Sequence, residues 1–140
     1  MKAALSVPPV VRQLWKKAVA AQKKAHAPYS RYRVGAALLG PRGRIWTGCN
    51  VENASYGGTI CAERVAFVKA ASDGVVKGFT DLVVVVAGEP AFPCGLCLQV
   101  ISEFCAPTLR IWVATPAGVS AHHSFGELLP KRFDKSQLPG

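Results

Sequence analysis

Between Pro8 and Ala27 the buried-type positions recur with a rough 3.6-residue period. Val11, Leu14, Trp15, Ala18 and Val19 form one stripe that Gln22 continues, with Lys and Arg between them. The pattern predicts an amphipathic helix over 8–27, with Pro9 in its first turn and Pro28 ending it. Lys16, Lys17, Lys23 and Lys24 gather toward its C-terminal half, where positive charge suits the dipole, and read as a solvated face. Tyr32 to Leu39 and Arg44 to Asn50 read as two strands joined by the chain-breaking loop Gly40-Pro41-Arg42-Gly43. Asn53 to Thr59 is a Gly-containing loop. Cys61 to Ser72 returns to helical spacing through Ala62, Val65, Ala66, Val68 and Lys69, and Asp73-Gly74 closes it.

Leu82 to Ala87 is an unbroken run rich in β-branched residues, the mark of a strand covered on both faces. A loop over 88–93 leads into a helix that starts at Cys94 or just after it and runs to Phe104. Arg110 to Ala114 is a strand, Thr115-Pro116-Ala117-Gly118 a turn, and Val119 to Ser124 a last strand. The tail from Phe125 to Gly140 has two prolines and no sustained period. The order α-β-β-α-β-α-β-β predicts an α/β fold: a three-layer α/β/α arrangement around a mixed five-stranded sheet. No internal repeat, linker or low-complexity stretch interrupts it.

Composition narrows the class. The chain has 140 residues, half of them hydrophobic, which excludes a disordered segment and fits one domain over 1–140. Its longest apolar run, 82–87, falls far short of the ~20 residues that span a bilayer, so no membrane association is expected. Lys2 and a short apolar stretch precede Pro8-Pro9, which break it before a secretory signal forms. A cytoplasmic chain with reduced thiols is expected, and there an odd count of five cysteines points to metal or catalysis over disulfides. The net charge of +9 raises the alternative of a basic nucleic-acid-binding module. Arg31, Arg33, Arg42, Arg44, Arg110, Lys131, Arg132 and Lys135 are dispersed, however, without RNP-type aromatics, helix-turn-helix or finger spacing. They read as solvated surface, and no nucleic-acid partner is expected. His26, His122 and His123 carry no ligand pattern, and Trp15, Trp46 and Trp112 read as core or subunit contacts.

The chemistry lies in two segments, Cys61-Ala62-Glu63-Arg64 and Pro93-Cys94-Gly95-Leu96-Cys97, each opening a predicted helix. Residues three apart share a helix face, so Cys94 and Cys97 can grip one ion. Residues two apart do not, so Cys61 and Glu63 converge only if Cys61 caps its helix ahead of the regular turns. Three thiolates would hold one Zn2+ per chain and leave its fourth position open, as a catalytic site does and a structural site does not. A dication with three thiolates has net charge −1. Two helix N-termini, each worth about +0.5, and Arg64 close behind the ligands offset that excess. Glu63, beside the metal without binding it, is then a proton carrier. Cys49 and Cys105 read as small buried hydrophobes. A redox Cys-x-x-Cys pair is a rival on spacing alone, and a zinc ribbon lacks its second pair.

At these residues the sequence resembles the small homotetrameric cytidine deaminases of nucleoside salvage, over nearly its whole length. The resemblance runs through Pro28-Tyr29-Ser30, Val34 to Leu38, Gly48 to Ala54, Cys61 to Arg64, Pro93-Cys94-Gly95-x-Cys97-x-Gln99-Val100 and Glu127 to Pro130. It implies hydrolytic deamination of cytidine and deoxycytidine to uridine and deoxyuridine plus ammonia, by zinc-activated water with Glu63 shuttling protons. Cys61, Cys94 and Cys97 would hold the zinc. Asn50 and Glu52 would bind the ribose, Tyr32 would stand where a Phe usually packs on the pyrimidine, and backbone at Cys61 and Ala62 would meet the base. Phe133 matches an aromatic inserted into a neighbouring subunit's site, which makes a homotetramer the expected active form. Three departures stand out. Leu98 replaces a common Arg, and Asp134-Lys135 follow Phe133 in place of Gly-Pro. Phe92 stands before Pro93 where Ser is common, a bulkier and drier wall near the leaving amine. Blasticidin-type antibiotic deaminases share the cysteine pattern but take a larger substrate. Editing and deoxycytidylate deaminases resemble His-x-Glu at the first ligand, where this chain has Cys61.

Overall fold

The computed structural model describes residues 5–140. The reading of Lys2 and the residues up to Ala4 lies outside them. The elements follow as α1 (Pro9–Gln22), β1 (Val34–Leu39), β2 (Ile45–Cys49), α2 (Ala62–Ser72), β3 (Asp81–Val86), α3 (Gly95–Phe104), β4 (Arg110–Thr115), β5 (Gly118–Ser124) and α4 (Phe125–Leu128). The strands form one sheet in the order β2-β1-β3-β4-β5, antiparallel throughout except for the β3–β4 pair. Mixed pairing follows from the connections. A tight loop joins β1 to β2, whereas α3 lies between β3 and β4 and returns the chain in the same direction.

Both faces of the central strands are buried, and their side chains sort by the two-residue period of a strand. Ala36, Leu38, Leu82, Val84 and Ile111 face one core with Ala66 and Phe67 of α2 and Ile101 of α3. Ala37, Val83, Val85 and Trp112 face the other, with Val11, Leu14 and Ala18 of α1. The expected three-layer α/β/α arrangement is therefore present, with α1 alone on its side. Two glycines set how closely the helices approach. A Cβ on Gly35 would stand 2.0 Å from the Ala18 carbonyl oxygen, and one on Gly48 would stand 2.4 Å from that of Ala62. Gly48 thus lets the first turn of α2 rest on β2, which fixes where Cys61 and Glu63 point.

Three expectations need correction. The first helix stops at Gln22, not Ala27. The chain after it pairs instead with the segment beyond β2, through His26 N–H to Asn50 O and Glu52 N–H to His26 O. Tertiary hydrogen bonds displace helical ones there, and Lys23 and Lys24 lie past the helix. On α2 the buried face is Ala62, Glu63, Ala66, Phe67 and Ala70, so Val68 points outward. The tail is not patternless: α4 and a short 3-10 turn (Lys135–Gln137) form in it, both started by capping boxes, Ser124 with Glu127 and Asp134 with Gln137. Among the described residues no helix is long and apolar enough to cross a membrane.

Candidate metal centre and active site

Helix N-termini are normally capped by Ser, Thr, Asp or Asn, whose oxygen bonds back to the first turn. Here α2 and α3 are capped by Cys61 and Cys94, both in extended backbone conformation and neither making a side-chain cap bond. Their sulfurs are left free for another partner. One turn into α3, buried Cys97 joins them. The three sulfurs lie within 4.8 Å of one another, and those of Cys94 and Cys97 are 3.6 Å apart. Zinc–sulfur bonds of about 2.3 Å at a tetrahedral angle place two sulfurs roughly 3.8 Å apart, so the cluster has the spacing a zinc ion requires. Three soft thiol donors, with no fourth ligand beside them among the described residues, suit a metal with one position open to solvent or substrate.

Glu63 occupies the first turn of α2 and is 5% exposed. Its Oε2 lies 3.3 Å from the Cys97 sulfur. Burial pushes the Glu63 carboxyl above the ordinary carboxylate range. The Cys61 thiol is drawn down to about 5, first by a hydrogen bond from Cys97 and then by Arg64, against the opposing effect of burial. Cys97, which gives that hydrogen bond and is itself buried beside Glu63, is pushed up. A dication bound by all three sulfurs would favour every thiolate at once.

Arg64 lies close behind the cluster. Its Nη2 donates to the Thr59 carbonyl at 2.9 Å and stands 4.0 Å from the Cys61 sulfur. Its buried Nε has no hydrogen-bond partner among the described residues. The guanidinium thus stands behind Cys61, the position the sequence expects of it.

The cluster and Glu63 line a cavity of about 270 Å³. Tyr32, Asn50, Glu52 and Ala62 also line it, so every substrate-contact residue expected from the sequence reaches this cavity except Phe133. Asn50 and Glu52, two apart just beyond β2, do face one side. Asn50 is 7% exposed, and its amide ties two segments together: Oδ1 accepts from Val34 N–H at 2.8 Å and Nδ2 donates to the Tyr32 carbonyl at 2.7 Å. Glu52 Oε1 accepts from the backbone N–H groups of Tyr29 (2.9 Å) and Ser30 (3.1 Å), and Oε2 from the Ser30 hydroxyl. These bonds hold the Glu52 carboxyl below the ordinary range, the Ser30 hydroxyl contributing most. Tyr32 is pushed up, by burial and then by the Glu63 charge.

Phe133 lies elsewhere. It is 56% exposed, and its carbonyl accepts from Gln99 Nε2 at 2.8 Å and Ser102 Oγ at 3.4 Å. The other two cysteines stay apart from the cluster. Cys49 lies half-buried on β2, and Cys105 is buried at the end of α3, where burial pushes its thiol up to about 12. Sequence reasoning assigned no role to Ser30 or Thr59. Ser30 had a readable signal: two residues before Tyr32, its Oγ accepts from the Tyr32 N–H at 3.0 Å, a local turn typical of serine. The Thr59 carbonyl had none, because a backbone acceptor leaves no mark in sequence.

Residues 10–113 match the family described as "Cytidine and deoxycytidylate deaminase zinc-binding region". A cytidine deaminase of Sporosarcina psychrophila is 46% identical over 119 residues, covering 84% of this chain and 87% of its own. One from Halalkalibacterium halodurans is 42% identical over 127 residues, covering 91% and 96%. Among solved structures, cytidine deaminase from Burkholderia pseudomallei superposes with a TM-score of 0.83 at 44% identity, covering 87% of this chain and 98% of that one. The Mycobacterium tuberculosis enzyme superposes at 0.73 with 38% identity, covering 88% and 96%. The matched span contains Cys61, Glu63, Cys94 and Cys97, and fold, site and sequence together place this protein in the cytidine and deoxycytidylate deaminase family.

Proposed function

We propose that this chain hydrolyses the 4-amino group of cytidine and deoxycytidine, giving uridine or deoxyuridine and ammonia. The observation that carries the reading is Glu63, a buried carboxylate beside three clustered sulfurs in the lining of a cavity of about 270 Å³. That volume lies at the small end of ligand pockets and suits one nucleoside. Cys61, Cys94 and Cys97 would hold a zinc ion, which would supply Lewis acidity toward the attacking water. Glu63 Oε2 takes a proton from that water and hands protons on to the ring N3 and to the departing nitrogen. The balance is one water per nucleoside: a C4–O bond forms, the C4–N4 bond breaks, one proton stays on N3 and one leaves with ammonia. Burial of Glu63 supports this role, because a raised pKa brings a carboxyl nearer to neutrality, where it both accepts and releases a proton.

Asn50 and Glu52 bind the ribose in this reading. After its two backbone bonds Asn50 retains one Nδ2–H and a lone pair, and Glu52 retains acceptor capacity toward a hydroxyl. Tyr32 packs on the pyrimidine, and the Ala62 backbone meets the base. The active form is a homotetramer in which Phe133 of one subunit completes the cavity of another. Phe133 is exposed on its own chain, as are Val68 on α2 and Leu96 on α3, surfaces that assembly would cover. Three reduced thiols call for a reducing compartment, and the cytoplasm is where we place the enzyme.

Incubating the purified zinc-loaded protein with cytidine, and following the absorbance change as uridine forms, tests the reading. Stoichiometric ammonia and about one zinc per chain are expected. Zinc-loaded protein that turns over no cytosine nucleoside would overturn it.

A further inference from the structure

Phe92 is the large apolar side chain on the wall that the β3–α3 loop contributes to the cavity, between Ala91 and Pro93. If the chain acts on a cytosine nucleoside as proposed above, C4 must stand at Glu63 and the cysteine cluster, with the sugar at Asn50 and Glu52. N1 and C4 lie opposite each other across a pyrimidine ring, so the exocyclic nitrogen projects past the cluster, away from the sugar. The lining available there is the segment from Ala91 to Pro93, which runs directly into Cys94. A phenyl ring at that point limits what the nitrogen can carry.

The ring is also braced from behind. His123, on the edge strand β5 and outside the cavity lining, packs against Phe92 with ring centroids 5.2 Å apart and planes at 59°. Its Nδ1 lies 2.8 Å from Glu127 Oε2. Glu127 Oε1 in turn accepts from the Ser124 N–H (3.2 Å) and hydroxyl (3.1 Å), in the capping box that starts α4. A ring packed on the core on one side and on a tethered imidazole on another yields little to a larger substrate.

We propose that Phe92 sets the specificity limit at the amine end of this site, with His123 as its positioning residue. The site admits an unsubstituted 4-amino group and excludes cytosine nucleosides alkylated on that nitrogen. The test is kcat/KM for N4-methylcytidine, read as released methylamine, relative to kcat/KM for cytidine. Wild type should strongly favour cytidine. Phe92→Ala should raise the N4-methylcytidine/cytidine ratio by about 10–200-fold, the span that one methylene commands in a close-fitting pocket. Phe92→Leu, which keeps an apolar side chain against the core, and His123→Ala should move the ratio the same way by less. General damage to the fold lowers both substrates together and leaves the ratio in place. A ratio unchanged in soluble Phe92→Leu and His123→Ala, or a wild type that takes both substrates equally, overturns the assignment. Wild-type inactivity on cytidine overturns the deaminase reading itself, a separate result.

Discussion

At the scale of single residues, the site depends on where a helix begins. Cys61 and Glu63 are two apart, a spacing that separates side chains within a helix. They converge because Cys61 is the N-cap of α2, in extended backbone, and Glu63 already lies in the first turn. This was legible in sequence, since the chemistry admits only that placement. The partners that orient them were less so: Ser30 left a local turn signal, and the Thr59 carbonyl left none. Glu63 tests the proton-carrier role directly. Glu63→Gln keeps the volume and loses the ionisable oxygen, so bound zinc should stay near one per chain while turnover falls by roughly 10²–10⁴-fold. Metal analysis beside steady-state kinetics separates the two effects. Near-wild-type turnover with zinc in place would mean that another group moves the proton.

At the scale of elements, the site is held by close contact between α2 and β2. Gly48 leaves space that any side chain would fill: a Cβ there would stand 2.4 Å from the Ala62 carbonyl oxygen and 2.7 Å from the Ala66 nitrogen. Both are backbone atoms, which cannot rotate away. Gly48→Ala should therefore push out the turn that carries Cys61 and Glu63. Overpacking of this kind costs about 1–3 kcal/mol of stability, measurable by denaturant unfolding. Activity and zinc retention should fall with it, and a Gly48→Ala protein with wild-type stability and turnover would show that α2 is not seated this way. The strands and both ligand helices were readable from periodicity because each buries a regular face. The end of α1 was not, because His26 pairs with Asn50 and Glu52 just beyond β2, partners 24 and 26 residues on. In the tail, Ser124-x-x-Glu127 and Asp134-x-x-Gln137 did announce two helix starts, but no apolar period follows them to draw attention.

At the scale of the molecule, the net charge of +9 does not locate the function. The cavity is lined by cysteines, the carboxylates of Glu52 and Glu63, an amide and aromatics, while Arg64 stands behind it, 4.0 Å from the Cys61 sulfur. What the isolated chain leaves open is Phe133, outside its own cavity with its backbone anchored to α3 by Gln99 and Ser102. If it serves a neighbour, catalysis belongs to the assembly, and two defective chains should repair each other. Phe133→Ala tetramers should bind cytidine weakly, seen as a raised KM with a smaller change in kcat, and Glu63→Gln tetramers should be nearly inactive. Mixed tetramers contain cavities with an intact Glu63 from one chain and an intact Phe133 from another. Co-expressed and purified as hybrids, they should show a population of sites with wild-type KM, more activity than the two parents summed. Light scattering should give four chains per particle for all three. Hybrids with no gain over the parents would remove the trans role of Phe133, and a fully active monomer would remove the tetramer. Recovery would instead mean that a residue exposed on one chain is part of the active site of the next.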